Sequence, residues 1–160
     1  VGLDSIHWLS SGLASLARGT NDAPKIAAML LLGSSTAMWP STAWQVLAFA
    51  GVAMAMGIGS YWGGRRVTEV LAENVTTMNH VEGLSANLTT SFLVLLSGSL
   101  GLPVSTTHLS SSAIIGIGLL KGSSAVRWTT VREMILAWIV TLPAAALLAC
   151  LAYFVLTRVI

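Results

Sequence analysis

The chain has 160 residues, of which 54% are hydrophobic and 9% are charged, and its mean hydropathy is +0.79. Soluble domains carry about a quarter charged residues, so this composition excludes an ordinary soluble protein and predicts a multi-pass protein of the cell membrane, embedded in the lipid bilayer. The net charge of +2 is too small, and the arginines are too scattered, to indicate a nucleic-acid partner.

Two stretches are long enough to cross a bilayer as uninterrupted helices. A full crossing of the ~30 Å hydrocarbon layer needs about 20 apolar residues, and residues 43–62 and 133–157 reach that length. The second stretch contains Pro143, which predicts a kink. We therefore predict an all-α integral membrane fold with two full transmembrane spans.

Two other apolar regions are interrupted by polar motifs. Residues 6–38 contain GTNDAPK at 19–25, and residues 84–120 contain GLPVSTTH at 101–108. The apolar runs beside each motif are too short to span alone, so we predict a broken helix at 6–38 and a re-entrant hairpin at 84–120. Irregular backbone at membrane depth is tolerated only when it is buried in protein or lines an aqueous cavity. The two interruptions thus predict a polar site within the membrane.

The segment between these regions is amphipathic. Residues 66–80 carry an apolar stripe, which predicts a helix lying at the membrane interface. Five basic residues fall on one predicted side, which the positive-inside rule makes cytoplasmic: Arg65, Arg66, Lys121, Arg127 and Arg132. No feature indicates a separate soluble domain, so residues 1–160 are predicted to form a single transmembrane domain.

The motif GTNDAPK has the composition of a helix start. Asn21 or Asp22 is a good N-cap, and Pro24 suits the first turn. A helix that began here would direct its free N–H groups and its positive dipole end into the interruption. Such a terminus binds anions.

The motif GLPVSTTH predicts the same arrangement. Gly101 and Pro103 are expected to end one half-helix, and Ser105, Thr106 or Thr107 to cap the next. Paired half-helix ends near the midplane form the binding sites of many secondary transporters. Hydroxyl and amide groups would donate hydrogen bonds to an oxyanion, whereas Asp22 would either bind a cation or accept a proton. Phosphate near neutral pH has a proton to donate and sulfate has none, so a carboxylate acceptor favours phosphate.

Several side chains have more than one interpretation. Asp22 could form a structural ion pair with Arg18 or Lys25, four positions before it and three after it, although acids within the membrane usually face a transport pathway. Arg18 and Lys25 could instead attract an anion or extend to the interface. His108 could relay protons or bond a neighbouring backbone group. Asn87 could lie near the site or bridge two helices.

Three motifs together resemble the inorganic phosphate transporter (PiT) family. They are GTNDAPK, GGRRVTE at 63–69 and GLPVSTTH, in this order and spacing, and the resemblance extends from about residue 12 to residue 140. It implies one half, the second repeat, of an inverted-repeat carrier that takes up phosphate with Na⁺ or H⁺; the family also has a sulfate permease branch. It further implies a partner, either the other repeat or a second copy of this chain.

The resemblance also implies roles for individual residues. Substrate binding falls on Thr20, Asn21, Asp22, Ser105, Thr106 and Thr107, and cation coupling on Asp22 and Asn87. Asp22 would be the Na⁺ ligand of a sodium-coupled carrier, and no other cofactor is expected. Further candidates are Arg18, Lys25 and His108. Sodium-coupled animal relatives carry one glutamate in the helix that here reads AMAMGIG and another at the position of Asn87. This chain lacks both acids, so the choices of Na⁺ or H⁺ and of phosphate or sulfate stay open.

Two other functional classes, a hydrolase and an anion channel, could use some of the same residues. A hydrolase using Ser105 and His108 would need an oriented base and an oxyanion hole, and the chain has no serine-hydrolase elbow. We therefore expect no enzymatic activity. An anion channel could use the same helix dipoles as a carrier.

Overall fold

The computed structural model describes residues 2–33 and 42–159. In these ranges the chain forms five α-helices and no strand: α1 (Gly2–Gly33), α2 (Thr42–Glu73), α3 (His80–Ser99), α4 (Thr106–Leu120) and α5 (Trp128–Val159). A short 3-10 turn at Ser123–Ala125 precedes α5. The all-α prediction is confirmed for this part of the chain.

Two of these helices are long and apolar enough to cross a membrane. They are the segments Thr42–Leu71 of α2, with a mean hydropathy of 1.4, and Trp128–Arg158 of α5, with a mean hydropathy of 2.4. They contain the spans predicted at 43–62 and 133–157. Residues Val1–Val126 form one compact unit, and Arg127–Ile160 form a second unit that consists mainly of α5. Helix α5 runs through Pro143 without ending.

The structure contradicts the broken helix predicted at 6–38. Helix α1 is continuous through GTNDAPK, with Pro24 inside it, so neither Asn21 nor Asp22 is an N-cap. Residues 34–38 of the predicted range lie outside the described residues. Because proline has no N–H, the carbonyl of Thr20 loses its intrahelical donor; membrane helices tolerate such a defect when neighbouring groups satisfy the backbone. The polar side chains of the motif bond to another segment instead of capping a helix.

The separate interfacial helix predicted at 66–80 is also wrong. Helix α2 continues to Glu73, and residues 74–79 are not helical. Asn79 then caps α3: its side chain accepts a hydrogen bond from the Glu82 N–H (2.9 Å), and the Glu82 carboxylate accepts one from the Asn79 N–H (2.8 Å). This capping box starts a new helix at His80. The apolar stripe over residues 66–80 instead predicts one continuous helix.

Helices α3 and α4 form the hairpin expected at 84–120. Gly101, in the turn, has a φ of 68°, a left-handed conformation that favours glycine. Ser105 is the N-cap of α4, as one of the predicted alternatives required, and its side chain accepts a hydrogen bond from the His108 N–H. Helix α4 has 15 residues, about 22 Å at 1.5 Å per residue. This is less than the ~30 Å of a full crossing. The re-entrant course predicted for the hairpin stays a prediction.

The helices of the first unit pack through small residues. Helix α1 lies against α3 and α2, and α3 lies against α4. The buried positions include few large side chains and many small ones: Ser10, Ala17, Ala27, Ala86, Ser91 and Ser111. Small residues let helix backbones approach closely, which is how membrane helices associate without a large apolar core. Large apolar side chains such as Phe92 are exposed, as lipid-facing side chains would be.

Candidate functional site

The turn of the α3–α4 hairpin lies against the middle of α1. Asp22 Oδ2 accepts a hydrogen bond from Thr106 Oγ1 at 3.1 Å, and Asp22 Oδ1 accepts one from Asn21 Nδ2 at 2.8 Å. Thr106 is the first residue of α4, and both Thr106 and Asn21 are buried. The Asp22 carboxylate therefore lies at the positive end of the α4 dipole, where negative charge is stabilised. The two motifs meet, but only GLPVSTTH contributes a helix start.

The carbonyl oxygen of Val104 is held by two side chains of α1. It accepts hydrogen bonds from Asn21 Nδ2 at 3.1 Å and from Lys25 Nζ at 2.7 Å. Lys25 Nζ also lies 3.7 Å from Asp22 Oδ1, so the ion pair considered from the sequence is present. We call the set Asn21, Asp22, Lys25, Val104 and Thr106 the Asp22–Val104 network. Val104 takes part through its backbone, which no side-chain motif could indicate.

Arg18 bonds to α4 rather than to Asp22. Its Nη2 atom donates a hydrogen bond to Ser110 Oγ at 3.2 Å, and Ser110 Oγ donates one to the Thr106 carbonyl at 2.9 Å. Ser110 lies outside both sequence motifs, but it follows Thr106 by one helical turn and hence lies on the same face of α4. Arg18, Thr20, Thr106 and Ser110 line a cavity of ≈ 1660 Å³ among helices α1 to α4. A guanidinium group therefore faces this cavity beside the network.

Three residues of the second motif do not join the network. Ser105, Thr107 and His108 are exposed. Ser105 Oγ lies 2.6 Å from His108 Nδ1, so the imidazole pairs with a side-chain hydroxyl. Thr20 is also outside the network, and its hydroxyl donates to the Ala17 carbonyl at 2.9 Å. The substrate-binding roles predicted for these residues stay predictions.

The structure places Asn87 away from Asp22. Asn87 Nδ2 donates to Ser10 Oγ at 3.2 Å and to Ser11 Oγ at 3.0 Å. Ser11 and Asp22 are separated by about 16 Å along α1, at 1.5 Å per residue. Asn87 therefore bridges α1 and α3, which was one of its two interpretations, while lining the same cavity.

The residues around Asp22 do not fit a sodium ion. Such an ion needs free carboxylate or carbonyl oxygens, and the Lys25 ammonium already faces both Asp22 Oδ1 and the Val104 carbonyl. Two unit positive charges about 4 Å apart repel by about 4 kcal/mol at an effective dielectric constant of about 20. Within the part of the chain that the structure describes, no group of three or more His, Cys, Asp or Glu residues is placed to hold a metal ion.

Comparison with known proteins identifies the family. The model of the phosphate transporter family matches residues 3–149. This chain belongs to that family. The resemblance inferred from the three motifs is thereby confirmed, and the hydrolase alternative is set aside because the family consists of transporters. Membership also places the chain in a membrane, in agreement with the two candidate spans.

Several members of the family are similar to nearly all of this chain. A Bacillus subtilis protein, named a probable low-affinity inorganic phosphate transporter, is 33% identical over 157 residues, which cover 96% of this chain and 47% of the relative. A Rhizobium meliloti protein of the same name is 35% identical, over 93% of this chain and 45% of its own length. A Thermococcus kodakarensis protein named as a phosphate permease is 32% identical, over 98% of this chain and 40% of its own length. The chain thus spans less than half the length of these relatives. No solved structure shows significant similarity to it.

Proposed function

We propose that this chain is one repeat of a secondary transporter that moves inorganic phosphate across the cell membrane together with a cation, Na⁺ or H⁺. Family membership supports the transport of phosphate. The proposed location of the site rests on the hydrogen bond between Asp22 and Thr106, because this bond joins the acidic motif to the start of α4. A carboxylate and a helix N-terminus in contact provide an acceptor for the phosphate proton and donors for the phosphate oxygens.

The surrounding groups suit an oxyanion. Arg18 brings a fixed positive charge to the cavity, and guanidinium groups recognise phosphate through paired N–H donors. Hydroxyl groups at and near the start of α4 add neutral donors, from Ser105, Thr106, Thr107 and Ser110. Phosphate binding by Thr20, Asn21, Asp22, Ser105, Thr106 and Thr107 would account for the grouping of these six residues in two motifs. Sulfate is the alternative anion, but it has no proton for the Asp22 carboxylate to accept.

A second repeat, or a second copy of this chain, completes the site. The cavity of ≈ 1660 Å³ is larger than ordinary small-molecule pockets of about 300–1,000 Å³, and the chain spans less than half the length of its relatives. In this arrangement the α3–α4 hairpin is re-entrant and faces its counterpart near the bilayer midplane. The two repeats alternately expose the site to each side of the membrane.

Uptake by reconstituted protein tests this function. The complete transporter that contains this chain is placed in proteoliposomes, and uptake of labelled phosphate is measured under imposed Na⁺ and H⁺ gradients, with sulfate as competitor. Asp22→Asn is expected to abolish gradient-driven uptake while leaving the amount of folded protein unchanged. Glu69→Gln is the matched control, since Glu69 is an exposed acid paired with Arg65.

Two outcomes would contradict the proposal. Asp22→Asn transport equal to that of the wild type would remove Asp22 from the mechanism, and wild-type uptake of sulfate in preference to phosphate would change the substrate. Counterflow of labelled phosphate separates a carrier from a channel, because only a carrier exposes its site to one side at a time.

A further inference from the structure

We propose that the ammonium group of Lys25 is a tethered cation that takes the place of a coupling sodium ion at Asp22. The carboxylate of Asp22 then contributes no sodium site to the transport cycle. This inference concerns the coupling ion and rests on the phosphate transport proposed above. It follows from the misfit of a sodium ion beside Asp22.

Each oxygen that a sodium ion would need at this position already accepts at least one hydrogen bond. Lys25 Nζ lies 2.7 Å from the Val104 carbonyl oxygen and 3.7 Å from Asp22 Oδ1. The Val104 carbonyl has two lone pairs, and the second accepts the hydrogen bond from Asn21 Nδ2. The other carboxylate oxygen, Asp22 Oδ2, accepts from Thr106. A sodium ion at the Val104 carbonyl would have to displace the ammonium, and one at Asp22 Oδ1 would lie beside that positive charge.

The charges in the network balance without an added ion. One carboxylate, Asp22, faces one ammonium, Lys25, and the positive end of α4 contributes further partial charge. The nearest other charged side chain along α1, Arg18, is directed to Ser110. A bound Na⁺ would therefore leave the network with excess positive charge.

Lys25 and Asp22 also lie one helical turn apart on the same helix. Residues at i and i+3 remain neighbours whenever the helix moves as a rigid element. The ammonium therefore stays beside Asp22 whichever side of the membrane the site faces, and it cannot be released there. A cation of this kind neutralises the carboxylate but stores no energy from a sodium gradient.

Removing the ammonium while keeping the carboxylate tests the inference. Lys25→Met keeps most of the apolar side chain and removes the ammonium from Asp22 and Val104, and Lys25→Arg is the charge-preserving control. Binding of ²²Na⁺ to the purified complete transporter and the Na⁺:phosphate flux ratio are measured for each. Lys25→Met is expected to gain one sodium ion per chain relative to the wild type, and Lys25→Arg to gain none. Equal sodium binding in Lys25→Met and the wild type would overturn the inference.

A second measurement does not depend on the folding of Lys25 variants. In the wild-type background, Asp22→Asn is expected to leave the number of bound ²²Na⁺ ions unchanged. Loss of a bound sodium ion in Asp22→Asn would show that Asp22 is a sodium ligand and that the inference is wrong. Failure of the proposed function is distinguishable, since it would appear as absence of phosphate uptake by the wild type, whatever the sodium binding.

Discussion

Thr106 donates a hydrogen bond of 3.1 Å to the carboxylate of Asp22, which precedes it by 84 positions in the chain. The contact joins the middle of α1 to the first residue of α4, and the Arg18–Ser110 hydrogen bond joins the same two helices nearby. Movement of the hairpin relative to α1 would therefore change the environment of Asp22 directly.

Thr106→Val removes the hydroxyl group while keeping the shape of the side chain. Hydrogen bonds to charged groups contribute about 1.5–3 kcal/mol, so we expect the free energy of unfolding to fall by about that amount and phosphate uptake at subsaturating concentration to fall with it. Thermal unfolding in detergent and proteoliposome uptake measure the two effects. Thr89→Val, at an exposed position of α3, is expected to change neither. A Thr106→Val protein as stable and active as the wild type would show that this hydrogen bond is dispensable.

Substitutions of Ser105 separate helix capping from anion binding. Ser105→Ala removes the N-cap of α4 and is expected to lower the free energy of unfolding by about 1 kcal/mol. Ser105→Asp retains a capping oxygen but adds a negative charge where phosphate is proposed to bind. We therefore expect Ser105→Asp to keep the wild-type stability and to weaken phosphate binding in a titration of the purified protein. Unchanged affinity in Ser105→Asp would place the anion away from this helix terminus.

Gly118→Ala tests the close packing at the end of α4. An added Cβ would lie 2.7 Å from Val126 Cγ2 and 3.3 Å from Thr76 Cβ, and both neighbours are buried. Overpacking of this kind costs about 1–3 kcal/mol, so the melting temperature should fall. Gly116→Ala, which meets nothing within 4 Å, should instead be neutral or stabilising by up to about 1 kcal/mol. If the two variants melted alike, the packing described here would be incorrect.

The Glu82–Lys121 ion pair predicts a pH dependence of stability. Glu82 lies in the first turn of α3, outside the two candidate spans, and Lys121 Nζ is 2.6 Å from its carboxylate. The hydrogen bond from Lys121, followed by that from the Asn79 N–H, lowers the pKa of Glu82 below its ordinary value of 4.5. Because the folded pKa is the lower one, this stabilisation is fully present above about pH 4.5 and is lost as the pH falls through the folded pKa.

Thermal unfolding between pH 7 and pH 3 measures this dependence. Lys121→Met removes the main cause of the pKa shift, so its melting temperature should fall less steeply with acidification than that of the wild type. Glu69→Gln, which alters an exposed acid on α2, should keep the wild-type slope. A slope in Lys121→Met equal to that of the wild type would exclude the ion pair as its cause.

The amino-acid sequence by itself determined the membrane class, the two long apolar helices, the α3–α4 hairpin with three candidate caps, and the family. These features depend on composition and on interactions between residues close in the chain, so local motifs are enough to predict them. The same local logic failed at GTNDAPK. Capping residues beside a proline predict a helix start, but here α1 continues, and the Asn21 and Lys25 side chains bond to Val104.

Only the tertiary structure decided the composition of the Asp22–Val104 network. Lys25 and Val104 are 79 positions apart, and the acceptor is a backbone carbonyl that has no signature in the sequence. The separation of Asn87 from Asp22 and the partnership of Arg18 with Ser110 likewise depend on how α3 and α4 pack on α1. Local propensities place a side chain on a helix face, whereas the group that this face meets is set by packing between distant segments.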